Sequence, residues 1–301
     1  MNTTVPDVSI IIVNYNTADH IGACLGSLGS DGAFSREVFV IDNASKDESV
    51  RRIREGYPWV HLIANVQNRG FAAANNQALP LCRGSYLYYL NPDARLTDPA
   101  LIGECVRFMN RHPSVGLAGT RLINPDGSLQ ESVSLRYPGQ KFAESEIGRL
   151  PGAIACVLGA SMFSRAGLIR QIGGFDERFL LYGEDQDLCL RIRKAGYEIG
   201  YIEKAAVVHY GGQSERQSIP AEVWKKKTRA EYLFYRKHYS RETTARIRRA
   251  DWLKTRFRLV TLALGRIFFG DKPVTREKRA KYRAIYETLE TLNCEERVLN
   301  S

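Results

Sequence analysis

The sequence predicts an α/β fold, a mostly parallel sheet with helices on both faces, followed by a basic helical C-terminal extension. Three observations predict it. Short runs of β-branched and aromatic residues alternate with helix-length segments from Val8 to Thr120, the rhythm that produces a parallel sheet with covering helices. Polar and acidic residues stand directly after several of those runs, at the edge where such sheets bind ligands. Finally, the net charge of +10 over 301 residues is concentrated in one late segment.

The elements follow in order. Val8–Val13 (VSIIIV) is a continuous apolar run and reads as a buried parallel strand. Asn14, Tyr15 and Asn16 follow it, then a helix from about His20 to Leu28. Val38–Ile41 is a second strand ending at Asp42, and Ser45 with Glu48 reads as a capping box opening a helix to about Gly56. Val60–Ala64 is a third strand, Gly70 leads a small-residue helix over Phe71–Leu81, and Tyr86–Leu90 is a fourth strand ending at Asn91-Pro92-Asp93. Pro99 opens a helix to about Arg111, and Val115–Thr120 is a fifth strand. With Asp42 and Asp93 both following strand ends, two carboxylates are expected to face one cleft.

The pattern then changes. Asn124-Pro125-Asp126-Gly127 is a turn, and residues 137–156 are irregular. Leu158–Phe163 reads as a strand and Ala166–Ile172 as a helix. The Gly173–Asp176 loop leads into a helix over Glu184–Ala195, with Leu188, Ile192 and Ala195 at helical spacing. Ile199–Ile202 and Ala206–Val208 are short strands, and residues 219–292 are mostly helical. This organisation divides the chain into a catalytic domain over 1–218, with halves near 1–121 and 122–218, and a helical basic region over 219–301.

Residues 1–223 hold 22 Lys/Arg against 24 Asp/Glu, whereas residues 224–283 hold 20 against 5. A near-neutral body suited to chemistry therefore precedes a tail suited to an anionic partner. Within it, Phe257, Val260, Leu264 and Ile267/Phe268 recur at helical spacing among Arg256, Arg258 and Arg266, the pattern of an amphipathic membrane-surface helix. Packing on its own domain or a homodimer through the C-terminal helices are the other readings of that pattern. No nucleic-acid-binding motif accompanies the charge, so nucleic acid is not an expected partner. The six cysteines are scattered without a CxxC pair and read as reduced thiols of a cytoplasmic protein. No signal peptide and no membrane span is read.

The residues with chemical potential are Asp93, the Glu184-Asp185-x-Asp187 cluster, and His209 with Tyr210. Asp plus His with open positions suits a divalent ion that also binds phosphate oxygens. Each has an ordinary reading alone: a turn Asp, acids at a helix N-terminus, a core histidine. Together with VSIIIVNYN (8–16), VIDNASKDES (40–49), NRGFAAANN (68–76), YYLNPDA (88–94), GASMFSR (159–165), GGFDERFLLYGEDQDLCLRIRKAGY (173–197) and VVHYGG (207–212), they resemble a family 2 glycosyltransferase of the GT-A fold, in its rhamnosyltransferase-like branch.

That resemblance implies a metal-dependent inverting transferase acting on a nucleoside-diphosphate sugar, dTDP-rhamnose or a UDP-sugar. It implies that Asp42 reads the pyrimidine ring N–H, that Tyr15 and Asn16 flank the base, and that Arg69 with Gly70 lies near the nucleotide and phosphates. Asp93 stands at the last position of the family's Asp-x-Asp metal motif; Asn91 replaces the first acid, so one direct acidic ligand is lost and coordination of Mg²⁺ or Mn²⁺ by Asp93 relies more on water and on His209, which resembles the late metal ligand of related enzymes. Asp185 resembles the catalytic base, with Glu184 and Asp187 supporting it, and its place at a helix N-terminus should keep its pKa low unless burial opposes it. The implied acceptor is a glycan or a polyprenyl-diphosphate-linked saccharide of cell-envelope polysaccharide synthesis, reached at the inner face of the cytoplasmic membrane. A nucleotidyltransferase is disfavoured because NYNTADH, not a Gly-rich phosphate loop, follows the first strand. A non-catalytic nucleotide-sugar or membrane-binding protein is disfavoured by the intact Asp93, Asp185 and His209.

Overall fold

A computed structural model describes residues 5–29, 34–212, 220–270 and 272–299. In chain order the elements are β1 (Val8–Asn14), α1 (Ala18–Ser27), β2 (Arg36–Asp42), α2 (Ser49–Gly56), β3 (His61–Ala64), α3 (Phe71–Ala78), β4 (Tyr86–Leu90), β5 (Ala94–Leu96), α4 (Leu101–Arg111) and β6 (Val115–Ile123). They continue with β7 (Leu129–Gln130), β8 (Val133–Ser134), α5 (Glu144–Ile147), β9 (Cys156–Val157), β10 (Ser161–Arg165), α6 (Ala166–Gln171), α7 (Glu184–Lys194) and β11 (Glu198–His209). Three long helices follow, α8 (Pro220–His238), α9 (Arg241–Phe269) and α10 (Pro273–Leu299). No helix among the described residues is long and apolar enough to cross a membrane.

The chain forms two compact units, one of Met1–Tyr137, Leu150–Leu180 and Glu184–Ser214, the other of Pro138–Arg149, Leu181–Gly183 and Glu215–Ser301. The boundary expected at 218/219 lies outside the described residues. In the first unit the described residues build a nine-stranded sheet in the order β3-β2-β1-β4-β10-β6-β11-β5, with β7 paired to β6. The VSIIIV run is buried on both faces as β1, at the centre of the parallel β3-β2-β1-β4 half. Ile10, Ile12, Val40, Tyr88 and Phe163 belong to its core, where full burial of such a side chain contributes about 1.5–3 kcal/mol.

The second half of the sheet is mixed rather than mostly parallel. β10 runs antiparallel to both β4 and β6, and β11 is parallel to β6 but antiparallel to β5. The strand expected over Leu158–Phe163 is shifted, running over Ser161–Arg165 as β10, because Gly159 turns its N–H to Asp185 and the ladder to β4 begins with Asn91 N–H on Ala160 O. Conversely, Ile199–Ile202 and Ala206–Val208 are one strand, β11, in which an irregularity between Ile202 and Ala206 breaks the register without ending the pairing. The Ser45/Glu48 capping box does not form. Helix α2 begins at Ser49, and the Ser45 hydroxyl accepts from Asn14 and Asn16 instead.

In the second unit, the part of the irregular 137–156 stretch up to Arg149 is tied to the helices. The Glu146 carboxylate accepts from Ser240 N–H (2.6 Å), Ser240 Oγ (2.8 Å) and Thr243 Oγ1. Ser240 itself caps α9 by accepting from Thr243 N–H at 3.1 Å. Tyr239 donates its hydroxyl to Pro138 O at 2.6 Å.

Candidate active site

The site begins at the carboxyl ends of β1 and β2. Asn14, the last residue of β1, is buried and donates Nδ2 to Asp42 Oδ1 at 2.7 Å and to Ser45 Oγ at 3.1 Å. The other Asp42 oxygen accepts from Ser45 N–H at 2.9 Å. Asn16 adopts φ +51°, which lets its N–H reach Ser45 Oγ (2.9 Å) while its Oδ1 accepts from Lys46 N–H (2.7 Å). Tyr15, half-buried, sits in the same turn. The neighbouring Asn43, also buried, donates to Asn68 Oδ1 (2.9 Å) and Gly70 O (3.1 Å), and its Oδ1 accepts from Arg69 N–H (2.9 Å). The Asn68–Gly70 loop is thus clamped to the end of β2, with the Arg69 side chain exposed. Gly70 has φ +83°, and a Cβ there would meet Leu180 O at 2.8 Å, so only glycine lets this loop lie against that backbone.

Asp93 follows β4, separated from Asp42 by the width of β1 in the sheet order. It is buried beside His209, the last residue of β11, with Asp93 Oδ1 3.4 Å from His209 Nε2. Asn91 Nδ2 lies 3.3 Å from the same nitrogen. On the far side of the ring, Nδ1 lies 2.9 Å from Gln130 Oε1. A carbonyl oxygen can only accept, so in the neutral ring this contact favours the tautomer with its proton on Nδ1, which leaves a lone pair on Nε2. A carboxylate oxygen and an imidazole lone pair therefore face each other, a donor set that suits a divalent cation, with Gln130 fixing the ring as an outer partner. Among the described residues no group of three or more His, Cys, Asp and Glu forms a metal cluster. Among the described residues Asp93 and His209 are the two groups of that kind brought together here, with Asn91 at the first motif position.

Glu184 and Asp185 open α7. Asp185 Oδ2 accepts from Gly159 N–H at 3.1 Å and Oδ1 from Gln186 N–H at 2.8 Å. Burial raises the Asp185 pKa, and these backbone N–H groups oppose it. The low pKa expected from the helix N-terminus is thus overturned by desolvation, which outweighs the terminal dipole. Burial, reinforced by the charge of Asp185, pushes Glu184 up to about 8. Glu184 Oε2 is buried with no hydrogen-bond partner. Asp187, in the same first turn of α7, is bound at 2.8 Å to Arg191, whose guanidinium also donates to Ile172 O and Gly174 O. It therefore braces the glycine loop before α7.

The Asp93–His209 pair and the Glu184–Asp185 pair meet at two consecutive residues. Asn91 N–H donates to Ala160 O at 2.9 Å, and Asp185 accepts from Gly159 N–H. The structure thus joins Asn91, Asp93, His209 and Asp185 through Gly159–Ala160, and Asp42, Asn16, Arg69 and Gly70 through Asn14, Asn43 and Ser45. Sequence reasoning missed Asn14, Asn43, Ser45 and Gln130. The first three lie inside the quoted NYN and DNAS stretches, where a buried polar residue after an apolar strand was the available signal. Gln130 lies on a hairpin strand past the Asn124–Gly127 turn and carries no motif.

Comparison with known proteins adds the following. The family described as Glycosyl transferase family 2 matches residues 9–171. An O-antigen biosynthesis protein, RfbC, of Myxococcus xanthus is 29% identical over 73% of this chain, which spans 18% of that protein. An N-acetylglucosaminyl-diphospho-decaprenol L-rhamnosyltransferase of Mycobacterium tuberculosis is 24% identical over 77% of this chain and 84% of its own length. Among solved structures, a mannosyltransferase of Pyrobaculum calidifontis in complex with GDP-Man and Mn²⁺ shares the fold at a TM-score of 0.58, with 18% identity over 97% of this chain and 88% of that one.

Proposed function

This chain belongs to glycosyl transferase family 2, and we propose that it transfers a sugar, with inversion and with a divalent cation, from a nucleoside-diphosphate donor to a hydroxyl of a glycan or polyprenyl-diphosphate-linked acceptor. The observation that carries the reading is the junction at Gly159–Ala160, which puts a cation-suited pair, Asp93 and His209, in one hydrogen-bonded framework with the carboxylates that can take a proton. Asp93 and His209 would hold Mg²⁺ or Mn²⁺, which when bound offsets the charge that develops on the leaving diphosphate. Asp42, already fixed by Asn14 and Ser45, presents the base-reading carboxylate, and the Asn68–Gly70 loop, clamped by Asn43, lines the nucleotide.

Asp185 takes the proton of the acceptor hydroxyl. Its raised pKa improves it as a base near neutral pH, where a general base is most effective. Glu184 stays protonated through neutral pH, so Asp185 is the charged member of the pair. The activated hydroxyl attacks from the face opposite the diphosphate, the anomeric configuration inverts, and no covalent enzyme nucleophile is needed.

The donor we favour is dTDP-L-rhamnose, supported by the rhamnosyltransferase name of the mycobacterial relative. A UDP-sugar is the second reading, because uracil offers Asp42 the same ring N–H. Nucleotide release from dTDP-rhamnose, UDP-sugars and GDP-mannose, each with Mg²⁺ or Mn²⁺, tests both. Turnover of dTDP-rhamnose above the others is the expected result, and a clear preference for GDP-mannose would overturn both readings.

A further inference from the structure

Helix α9 has two apolar faces, and the helical unit uses one of them. Trp252, Thr255, Leu259 and Leu262, three and four residues apart, are buried or half-buried, and Trp252 Nε1 donates to Glu290 of α10 at 2.7 Å. The opposite face carries Leu253, Phe257, Val260, Leu264 and Ile267 at alternating spacings of four and three. All five are exposed, Phe257 at 64% and Ile267 at 75%. A solvated helix ordinarily keeps apolar residues to one stripe, and a contiguous exposed ridge of this kind marks an interaction surface.

The charge around the ridge selects the occupant. From Trp252 to Gly270 there is no Asp or Glu; at 3.6 residues per turn Lys254 and Arg256 stand on the two sides of the ridge, with Arg258 and Arg266 farther round the helix. The ridge spacing is also that of a coiled-coil seam. Two copies paired along it would bring only cations together at their flanks, within a segment whose 20 Lys/Arg outnumber 5 Asp/Glu. An anionic lipid surface satisfies both properties at once, taking the apolar side chains into its interface and the cations among its headgroups.

We propose that the outer face of α9 docks the protein on anionic bilayers, with Leu253, Phe257, Val260, Leu264 and Ile267 entering the interface, Lys254 and Arg256 meeting the headgroups at its sides, and Arg258 and Arg266 adding to the positive field of the helix. The surface is independent of which sugar the protein transfers. The test is co-sedimentation of the full chain with vesicles of phosphatidylcholine alone and of equimolar phosphatidylcholine and phosphatidylglycerol. Binding is expected to the anionic vesicles only and to weaken with added salt. The double variant Phe257→Glu/Ile267→Glu, whose sites are exposed and whose folding is checked by thermal melting, should bind those vesicles about tenfold or more weakly. A second variant, Arg256→Gln/Arg258→Gln, keeps the ridge and should also weaken binding and flatten its salt dependence. Equal binding to both vesicle types, or full binding by the ridge variant, would overturn the proposal. So would a dimer in light scattering that the ridge variant abolishes, since the face would then be the seam between two copies.

Discussion

Asp42 and Glu184 are both buried, yet Asp42 accepts from Asn14 Nδ2 on one oxygen and Ser45 N–H on the other, whereas Glu184 Oε2 accepts from no group. The Asp42 end of the site is a completed network, in which Asn14, Asn43 and Ser45 satisfy one another and set the positions of Asp42 and the Asn68–Gly70 loop. The Glu184–Asp185 end is left hungry, with burial raising the pKa of Glu184 and Asp185 and only backbone N–H groups opposing it at Asp185. Groups that recognise a ligand gain from being held in place beforehand, while a group that must change its protonation during turnover gains from an environment that brings its two forms closer in energy.

The largest expected effect breaks the comparison at its reactive end. Asp185→Asn keeps size and cannot take a proton, so transfer should fall by about 10²–10⁴-fold while calorimetry shows donor binding with metal close to wild type. Loss of donor binding, or retention of full turnover, would move the base to Glu184. In the wild type, the acid limb of the rate profile should lie above the ordinary Asp value of 3.8, because the folded pKa is raised and the base is lost as pH falls through it.

Gln130 sharpens the contrast by testing an outer partner at the metal-suited pair. Gln130→Leu removes the acceptor that holds the His209 Nδ1 proton, and Mn²⁺-dependent donor binding should weaken by about 10–100-fold. An unchanged affinity would show that the tautomer needs no such partner. A smaller effect is expected at the completed network. Asn43→Ala leaves Arg69 N–H and Asn68 without their partner and should lower stability by about 1–3 kcal/mol, read as a drop in melting temperature together with weaker nucleotide binding.

The smallest expected effect, taken per pH unit, concerns stability at the hungry end. Glu184 has a folded pKa raised from 4.5 to about 8. Between these values the folded state holds a proton that the unfolded state has lost, so its contribution declines as pH rises. Glu184→Gln removes that decline and should gain on wild type as pH rises through the same window, by about 1.4 kcal/mol per pH unit. Parallel pH–stability curves for the two proteins would show that Glu184 is not perturbed.

The strands and the positions after them were legible because β-branched runs such as VSIIIV and VFVID have one economical use in an α/β chain, as buried strands with polar residues at their ends. Asp93 and His209 could be nominated for the same reason, and Asp185 from the Glu184-Asp185-x-Asp187 cluster that opens a helix. What was illegible depends on partners distant in sequence. Ser45 looked like a helix cap because local spacing says nothing about Asn14 and Asn16 reaching it across neighbouring strand ends. Gly159 and Ala160 looked like strand interior, since nothing local reveals that Asp185 and Asn91 take their backbone groups. The pKa of Asp185 was misread because a helix terminus is visible in sequence and burial is not. Asp187, grouped there with its neighbours, is engaged by Arg191 one turn along the helix.

The Gly159–Ala160 turn has a consequence for how the protein would tolerate change. Because Asn91 and Asp185 are anchored to the backbone of adjacent residues, the separation between the two halves is set by a peptide unit of fixed length rather than by side-chain reach. It works as a gauge: under the proposed transfer, pocket walls elsewhere can be re-cut without resetting the span between Asn91 and Asp185. Insertion of a single residue between Gly159 and Ala160 would lengthen that span while leaving every acidic and imidazole group present.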